Sequence, residues 1–277
     1  MTESDQLAAV VRRALEEDVG QGDVTSMWTL PAGLPGHGTL VSKGFGILAG
    51  MEVAGEVFRQ VSPDVRLDAI RPDGAVIAPG DILGTVEGPT IAILTAERTA
   101  LNLMQRMSGI ATATRRYVDA VHGTRAVILD TRKTAPGLRL LDKWAVRLGG
   151  GQNHRLRLDA MVLIKDNHIA AAGSIRAAVR RVRQKNALHL PIEVEVKTWA
   201  ELEVAVALRP DRIMLDNMSA PEMKRAVDWV AGRVPLEASG GITLDSVRAA
   251  AETGVDFISV GALTHSVIAL DISLEVE

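Results

Sequence analysis

PIEVEVKTWAELEVAVALRPDRIMLDNMSAPEMK, residues 191–224, contains two apolar runs, IEVEV and RIML, and each ends in a polar tip that leads into an amphipathic stretch. At both tips a hydroxyl stands three residues before a glutamate, Thr198 before Glu201 and Ser219 before Glu222. That is the capping-box pattern, in which the hydroxyl accepts from an early helix N–H and the carboxylate reaches back to the cap. An apolar run that stops where a capped helix starts is a βα unit. From Ala126 onward such runs recur as AVILDTRK, MVLIKDNH, IEVEVKT, RIMLDNMS, LEASGGI and FISVGAL. They stand roughly 20 to 35 residues apart, the span of helix-joined strands in a parallel sheet. Ser174 precedes Ile175, Ala178, Val179 and Val182 at helical spacing, and Gly254 stands where the helix after Thr243 should stop. Six units in succession predict a βα barrel, complete or incomplete. A doubly wound open sheet is the rival, but no GxGxxG follows its first strand.

Upstream the texture is α+β. Residues 1–20 read as an amphipathic helix, 37–50 as strands, 51–61 as a helix and 65–94 as several short strands. Asp73-Gly74, Pro79-Gly80-Asp81 and Gly88-Pro89 punctuate that last stretch. Apolar residues keep helical spacing from Thr95 to Val121, with an interruption expected at Ser108 and Gly109, where one helix ends and another begins. A domain boundary is placed there, giving residues 1–108 and 109–269.

Composition narrows the function. A chain of 277 residues with 47% hydrophobic and 23% charged content has material for a large α/β core and is not disordered. No cysteine is present, which excludes disulfides and thiolate metal sites. The apolar runs are too short to span a bilayer, and the acidic start does not read as a signal peptide, so a cytoplasmic protein is expected. A net charge of -3 with one Tyr and three Phe argues against nucleic-acid binding. Yet residues 130–165 hold eight Lys or Arg against three acids, a local cationic field suited to a small multiply charged anion.

In parallel α/β folds the carboxyl ends of strands face the active site. Here those tips carry Arg132 and Lys133, then Lys165 and Asp166, Glu195, Asp216 and Asn217, Ser239-Gly240-Gly241, and Gly261. The two glycine tips offer backbone N–H groups to a phosphate, and Thr243 opens a helix behind one of them. Glu195 and Asp216, on neighbouring strands, are candidates to hold one Mg2+ together with water and diphosphate oxygens; their alternative role is to neutralise nearby cations. Glu193 shares a face with Glu195, so period two cannot choose between them. In GGGQNHRLRL, residues 149–158, three glycines clear space around Asn153, His154 and Arg155. Arg155 with Arg132 would grip carboxylates by forked hydrogen bonds, while Lys133 and Lys165 supply point charges.

The order of EDVGQGDVT, ERTALNLMQRMSGIAT, DTRKTAPGLR, GGGQNHR, LIKDNHI, EVEV, LDN, SGGI and VGALTHS resembles the quinolinate phosphoribosyltransferase family over nearly the whole chain. It departs at Trp144 and Arg157, where many members carry Tyr and Gly. The resemblance implies an N-terminal α/β sandwich domain plus a C-terminal open βα barrel, with residues 270–277 returning to the first domain. It implies transfer of the phosphoribosyl group of phosphoribosyl pyrophosphate (PRPP) to quinolinate with decarboxylation, aided by Mg2+ at Glu195 and Asp216. Arg132, His154, Arg155 and Lys165 would then line the quinolinate pocket, and Lys133 would meet PRPP. Ser239, Gly240, Gly241 and Gly261 would cradle the 5-phosphate, with Thr131, Val260 and Ala262 as further substrate contacts. By the same resemblance Arg98 crosses a dimer interface into the partner's site, making a homodimer. A molybdate-associated paralogue or a related pyridine-carboxylate transferase is the alternative within the family. Outside it stand an aldolase-like barrel with Lys165 as Schiff-base lysine and a phosphate-ligand sensor without turnover.

Overall fold

A computed structural model describes residues 2–277; Met1, part of the expected first helix, lies outside them. The chain divides into two compact units: residues up to Arg115 with Thr134–Gly150 and Leu263–Glu277, and Arg116–Lys133 with Gly151–Ala262.

The first unit opens with α1 (Glu3–Val19), where Thr2 and Asp5 form a reciprocal cap. It continues through α2 (Val24–Thr29), β1 (Pro35–Ser42), β2 (Gly46–Ile47), α3 (Met51–Val61), β3 (Arg66–Ala69), β4 (Val76–Ile77) and β5 (Ile82–Pro89) to α4 (Thr90–Ala120), whose last turn, from Arg116, counts with the second unit. The C-terminal strand Ile272–Val276, β1, β5 and β3 form one antiparallel sheet in that order. In β1, Gly38, Leu40 and Ser42 are buried at alternate positions, the half-buried pattern of a sheet with one face on a core. On α3, Met51, Val53, Ala54, Val57 and Phe58 are buried, and each large apolar side chain so enclosed contributes roughly 1.5–3 kcal/mol.

Two expectations fail in α4. Residues 90–94, expected as strand, begin the helix: Gly88 and Pro89 are not a turn but the end of β5, paired with Gly36 and Pro35, and α4 starts at the next residue. The helix also runs without a break through Ser108 and Gly109 to Ala120. Ser108 is buried, its hydroxyl donating to Ala49 O and accepting from Ala49 N–H. A Cβ built on Gly109 would lie 2.1 Å from Ile268 O, so the glycine admits a neighbouring backbone instead of ending a helix.

The second unit carries β6 (Val127–Leu129). α5 (Arg139–Leu148) belongs with the first unit, where Arg106 forks onto the buried Asp142 at 2.8 and 2.9 Å. The second unit resumes with β7 (Val162–Ile164), α6 (Asp166–Ala172), α7 (Ile175–Lys185), β8 (Ile192–Val196), α8 (Trp199–Leu208), β9 (Arg212–Asp216), α9 (Ala220–Val230), β10 (Leu236–Ser239), α10 (Leu244–Glu252) and β11 (Phe257–Ser259). The short α11 (Ala262–His265) follows, and Ile272–Val276 is β12. All six apolar runs are strands, paired parallel in the order β6-β11-β10-β9-β8-β7. The last strand pairs with the first, while the consecutive strands β6 and β7 occupy the two edges. That is the order of a cylinder cut along one seam, and a doubly wound sheet would instead reverse direction in its middle. The predicted caps form, with Ser174 accepting the Ala177 N–H and Thr198 accepting the Glu201 N–H.

Candidate active site

The tips of the open barrel hold a cationic rim over a carboxylate interior. At β6, Thr131 Oγ1 accepts the Lys133 N–H at 3.1 Å, which turns the chain and leaves Lys133 exposed and Arg132 half-buried. The glycine-rich segment after α5 runs along the free edge of β6: Gln152 N–H donates to Ile128 O at 2.9 Å and Gln152 O accepts the Asp130 N–H at 3.2 Å. Asp130, fully buried, then accepts Asn153 Nδ2–H at 2.6 Å and the His154 N–H at 2.8 Å. The segment that carries His154 and Arg155 is thereby tied to the free edge of β6.

Lys165 follows β7 and donates from Nζ to Glu195 Oε2 on β8 at 2.5 Å. Glu195 is 6% exposed and so is paired by this lysine from within the barrel. Asp216 ends β9, within 3.9 Å of Lys197 Nζ, and accepts from Asn217 Nδ2 at 2.9 Å. Lys197 also donates to Asp166 at 2.6 Å. That hydrogen bond holds the Asp166 carboxyl below its usual range and raises the lysine above its own. Glu195 and Asp216 are hard oxygen donors at neighbouring tips, a donor set that fits Mg2+ bound through one or two carboxylates.

After β10, Gly240 takes φ +93°, and a Cβ there would lie 2.3 Å from Asn217 Oδ1 and 2.9 Å from Asn217 N. Gly241 follows at φ +62° with open space beside it. After β11, the Val260 N–H donates to Leu129 O at 2.9 Å, placing Gly261 and Ala262 at the same end of the barrel. Ser239, Gly240 and Gly241 thus share that end with the Val260–Ala262 turn.

Arg155 donates from Nη1 to Met161 O at 3.0 Å. Burial, and then the charge of Arg132, hold its guanidinium below its ordinary range. The His154 side chain is 6% exposed; its Nδ1 accepts the Arg155 N–H at 2.7 Å and its Nε2 lies 2.9 Å from Glu193 Oε2. Below it, Arg212 donates to Glu237 Oε2 at 2.7 Å and Ser259 donates to Oε1 of the same carboxylate. Burial pushes the Glu193 carboxyl up, while burial and the Glu193 charge push Glu237 up to about 7. His154, Glu193 and Glu237 bring ligand-type atoms within 4.8 Å of one another, but Arg212 and Ser259 already serve Glu237.

The strand-tip residues picked from the sequence therefore share one end of the second unit, whereas Arg98 lies exposed on α4 of the first. Asp130, Lys197, Arg212, Glu237 and Ser259 were not foreseen. For Glu237 a signal existed, since it precedes Ser239 by two residues and must share its face of the strand. No helix among the described residues is long and apolar enough to cross a membrane.

The sequence models of a known family match both parts of the chain. The one described as quinolinate phosphoribosyl transferase, N-terminal domain, takes residues 23–108, and its C-terminal counterpart takes residues 110–275. A carboxylating nicotinate-nucleotide pyrophosphorylase of Mycobacterium leprae is 48% identical over 282 residues, covering 99% of this chain and 98% of the relative. A chloroplastic one of Oryza sativa is 46% identical and covers 98% and 78% of the two chains. The solved nicotinate-nucleotide pyrophosphorylase of Francisella tularensis superposes with a TM-score of 0.95 at 39% identity, covering 100% of this chain and 98% of that one.

Proposed function

Because the chain belongs to the quinolinate phosphoribosyltransferase family, we propose which of its residues perform that family's reaction. The enzyme is a decarboxylating pentosyltransferase of NAD synthesis: quinolinate nitrogen bonds to C1 of PRPP, diphosphate leaves, and the 2-carboxylate departs as CO2 to give nicotinate mononucleotide. The observation that carries the assignment of residues is the Arg132–Arg155 pair. Arg132 and Arg155, both half-buried at the same end of the barrel, are two forked cations matched by a ligand that brings two adjacent carboxylates.

Arg132 and Arg155 clamp the pyridine dicarboxylate, with His154 in the pocket wall and Lys165 beside it. Lys133, exposed at the rim, meets the departing diphosphate, where negative charge grows. Ser239, Gly240 and Gly241, with the Val260–Ala262 turn, cradle the 5-phosphate, and Thr131 shapes the Lys133 turn. Glu195 and Asp216 face the ribosyl centre, whose positive charge in the transition state they stabilise. Mg2+ bound at those carboxylates supplies charge neutralisation for the leaving group. Arg98 completes the site of a second copy in a homodimer, with the cytoplasm as the proposed setting.

The test offers purified protein, PRPP and Mg2+ with quinolinate or nicotinate in parallel, following CO2 and product. Nicotinate mononucleotide is expected from quinolinate alone, with Lys133→Ala lowering the rate by about a hundredfold or more. Turnover of nicotinate in place of quinolinate would sink the reading.

A further inference from the structure

Both ring nitrogens of His154 are committed inside the protein. Nδ1 accepts a backbone N–H, that of Arg155, so it carries no proton. The ring proton therefore sits on Nε2 and is donated to Glu193 Oε2 at 2.9 Å. Glu193 is fully buried, two residues inside Glu195 on β8, and is not itself at the rim. The imidazole is a strut between the β8 interior and the backbone of residue 155. Its other end is tied too, because Asp130 accepts the His154 N–H at 2.8 Å.

We propose that Glu193 is a positioning residue for recognition of the pyridine dicarboxylate: by accepting the His154 Nε2–H it fixes the ring's tautomer and orientation, and the ring holds the backbone from which Arg155 projects. The inference rests on the reading that Arg155 grips a substrate carboxylate. With the acceptor removed, the ring is free to turn, the Arg155 N–H loses Nδ1, and the guanidinium loses its aim. The loss falls on quinolinate binding, since the two hydrogen bonds released, at His154 Nε2 and at the Arg155 N–H, lie on the segment that carries Arg155 and not on the phosphate loops after β10 and β11.

The experiment compares Glu193→Ala, Glu193→Gln and Arg155→Ala in the full-length enzyme by steady-state kinetics with each substrate varied. In Glu193→Ala the quinolinate KM is expected to rise roughly ten- to a hundredfold, because small misplacements of a binding group cost that much. The KM for PRPP and kcat stay within about threefold, which marks lost ground-state binding. Glu193→Gln keeps a carbonyl acceptor for Nε2–H and restores the quinolinate KM to within about threefold of the parent. In the parent enzyme, 15N spectra of labelled histidine are expected to show His154 as the neutral Nε2–H tautomer, a readout available even where Glu193→Ala fails to fold. An unchanged quinolinate KM in Glu193→Ala, an equal rise in both KM values, a glutamine variant as impaired as the alanine one, or an Nδ1–H ring would each overturn the assignment. Arg155→Ala separates the two readings. If it leaves the quinolinate KM unchanged, the Arg155 reading falls and takes this inference with it; if it is impaired while Glu193→Ala is not, only the Glu193 role falls.

Discussion

Glu237 is fully buried on β10 and faces Glu193, and burial with that neighbouring charge pushes its carboxyl up to about 7. The unfolded chain binds this proton less tightly, near the ordinary glutamate value. The contribution to stability is thus fully present below about pH 4.5 and is lost as pH rises through about 7. The Arg212 guanidinium and the Ser259 hydroxyl favour the ionised form and already hold this rise below what burial and the Glu193 charge would produce. Glu237→Gln removes the titration, so its unfolding free energy should fall less than the parent's between those pH values, as denaturant titrations at several pH values would show. Parallel slopes for the two proteins would refute the assignment of the proton to this site. At this scale the sequence was legible in part. Period two places Glu193 and Glu195 on one face, and both are indeed interior. That Glu193 meets His154 could not be read, because the contact joins residues 39 apart through the closure of the barrel.

At the scale of elements, strands and caps were legible because their causes are local: an apolar run, a hydroxyl and a glutamate three residues on. The break expected in α4 was not real, because a Ser-Gly pair has two causes that look alike in sequence. One is weak helix propensity, worth about 1 kcal/mol for glycine against alanine. The other is a close approach by a distant segment, and only the fold reveals it. At Gly109 the second operates, with a Cβ meeting Ile268 O at 2.1 Å and Ala269 Cα at 3.1 Å. Both obstacles are backbone and cannot rotate away. Gly109→Ala should therefore destabilise the protein by roughly 1–3 kcal/mol, the cost of overpacking, in spite of the gain in propensity. Chemical denaturation checks the sign: a stabilised variant would mean that residues 268–269 yield freely and that the glycine serves no packing purpose. The seam of the barrel has the same character. Its three glycines marked a loop, but that the loop extends β6 through Gln152 follows from an unpaired strand edge that no local pattern announces.

On the scale of the whole molecule, the cations proposed for quinolinate and diphosphate lie in one unit and Arg98 in the other. Arg98 is exposed on α4 and makes no hydrogen bond or ion pair among the described residues. An arginine on a helix surface is ordinary, and nothing in its spacing marked it; its role was carried over from the family resemblance alone. If it serves the site of a second copy, each active site contains Lys133 from one protomer and Arg98 from its partner. The homodimers Arg98→Ala and Lys133→Ala would then both be inactive for different reasons. Mixing them after dissociation and reassociation makes half of the dimers mixed, and each mixed dimer has one site with both residues intact. Activity should therefore recover to about a quarter of the parent level, the fraction that two-fold symmetry and random pairing dictate. An arginine acting within its own protomer gives a different result. Every site in the mixed dimers would then lack one of the two residues, and no activity would return at any mixing ratio.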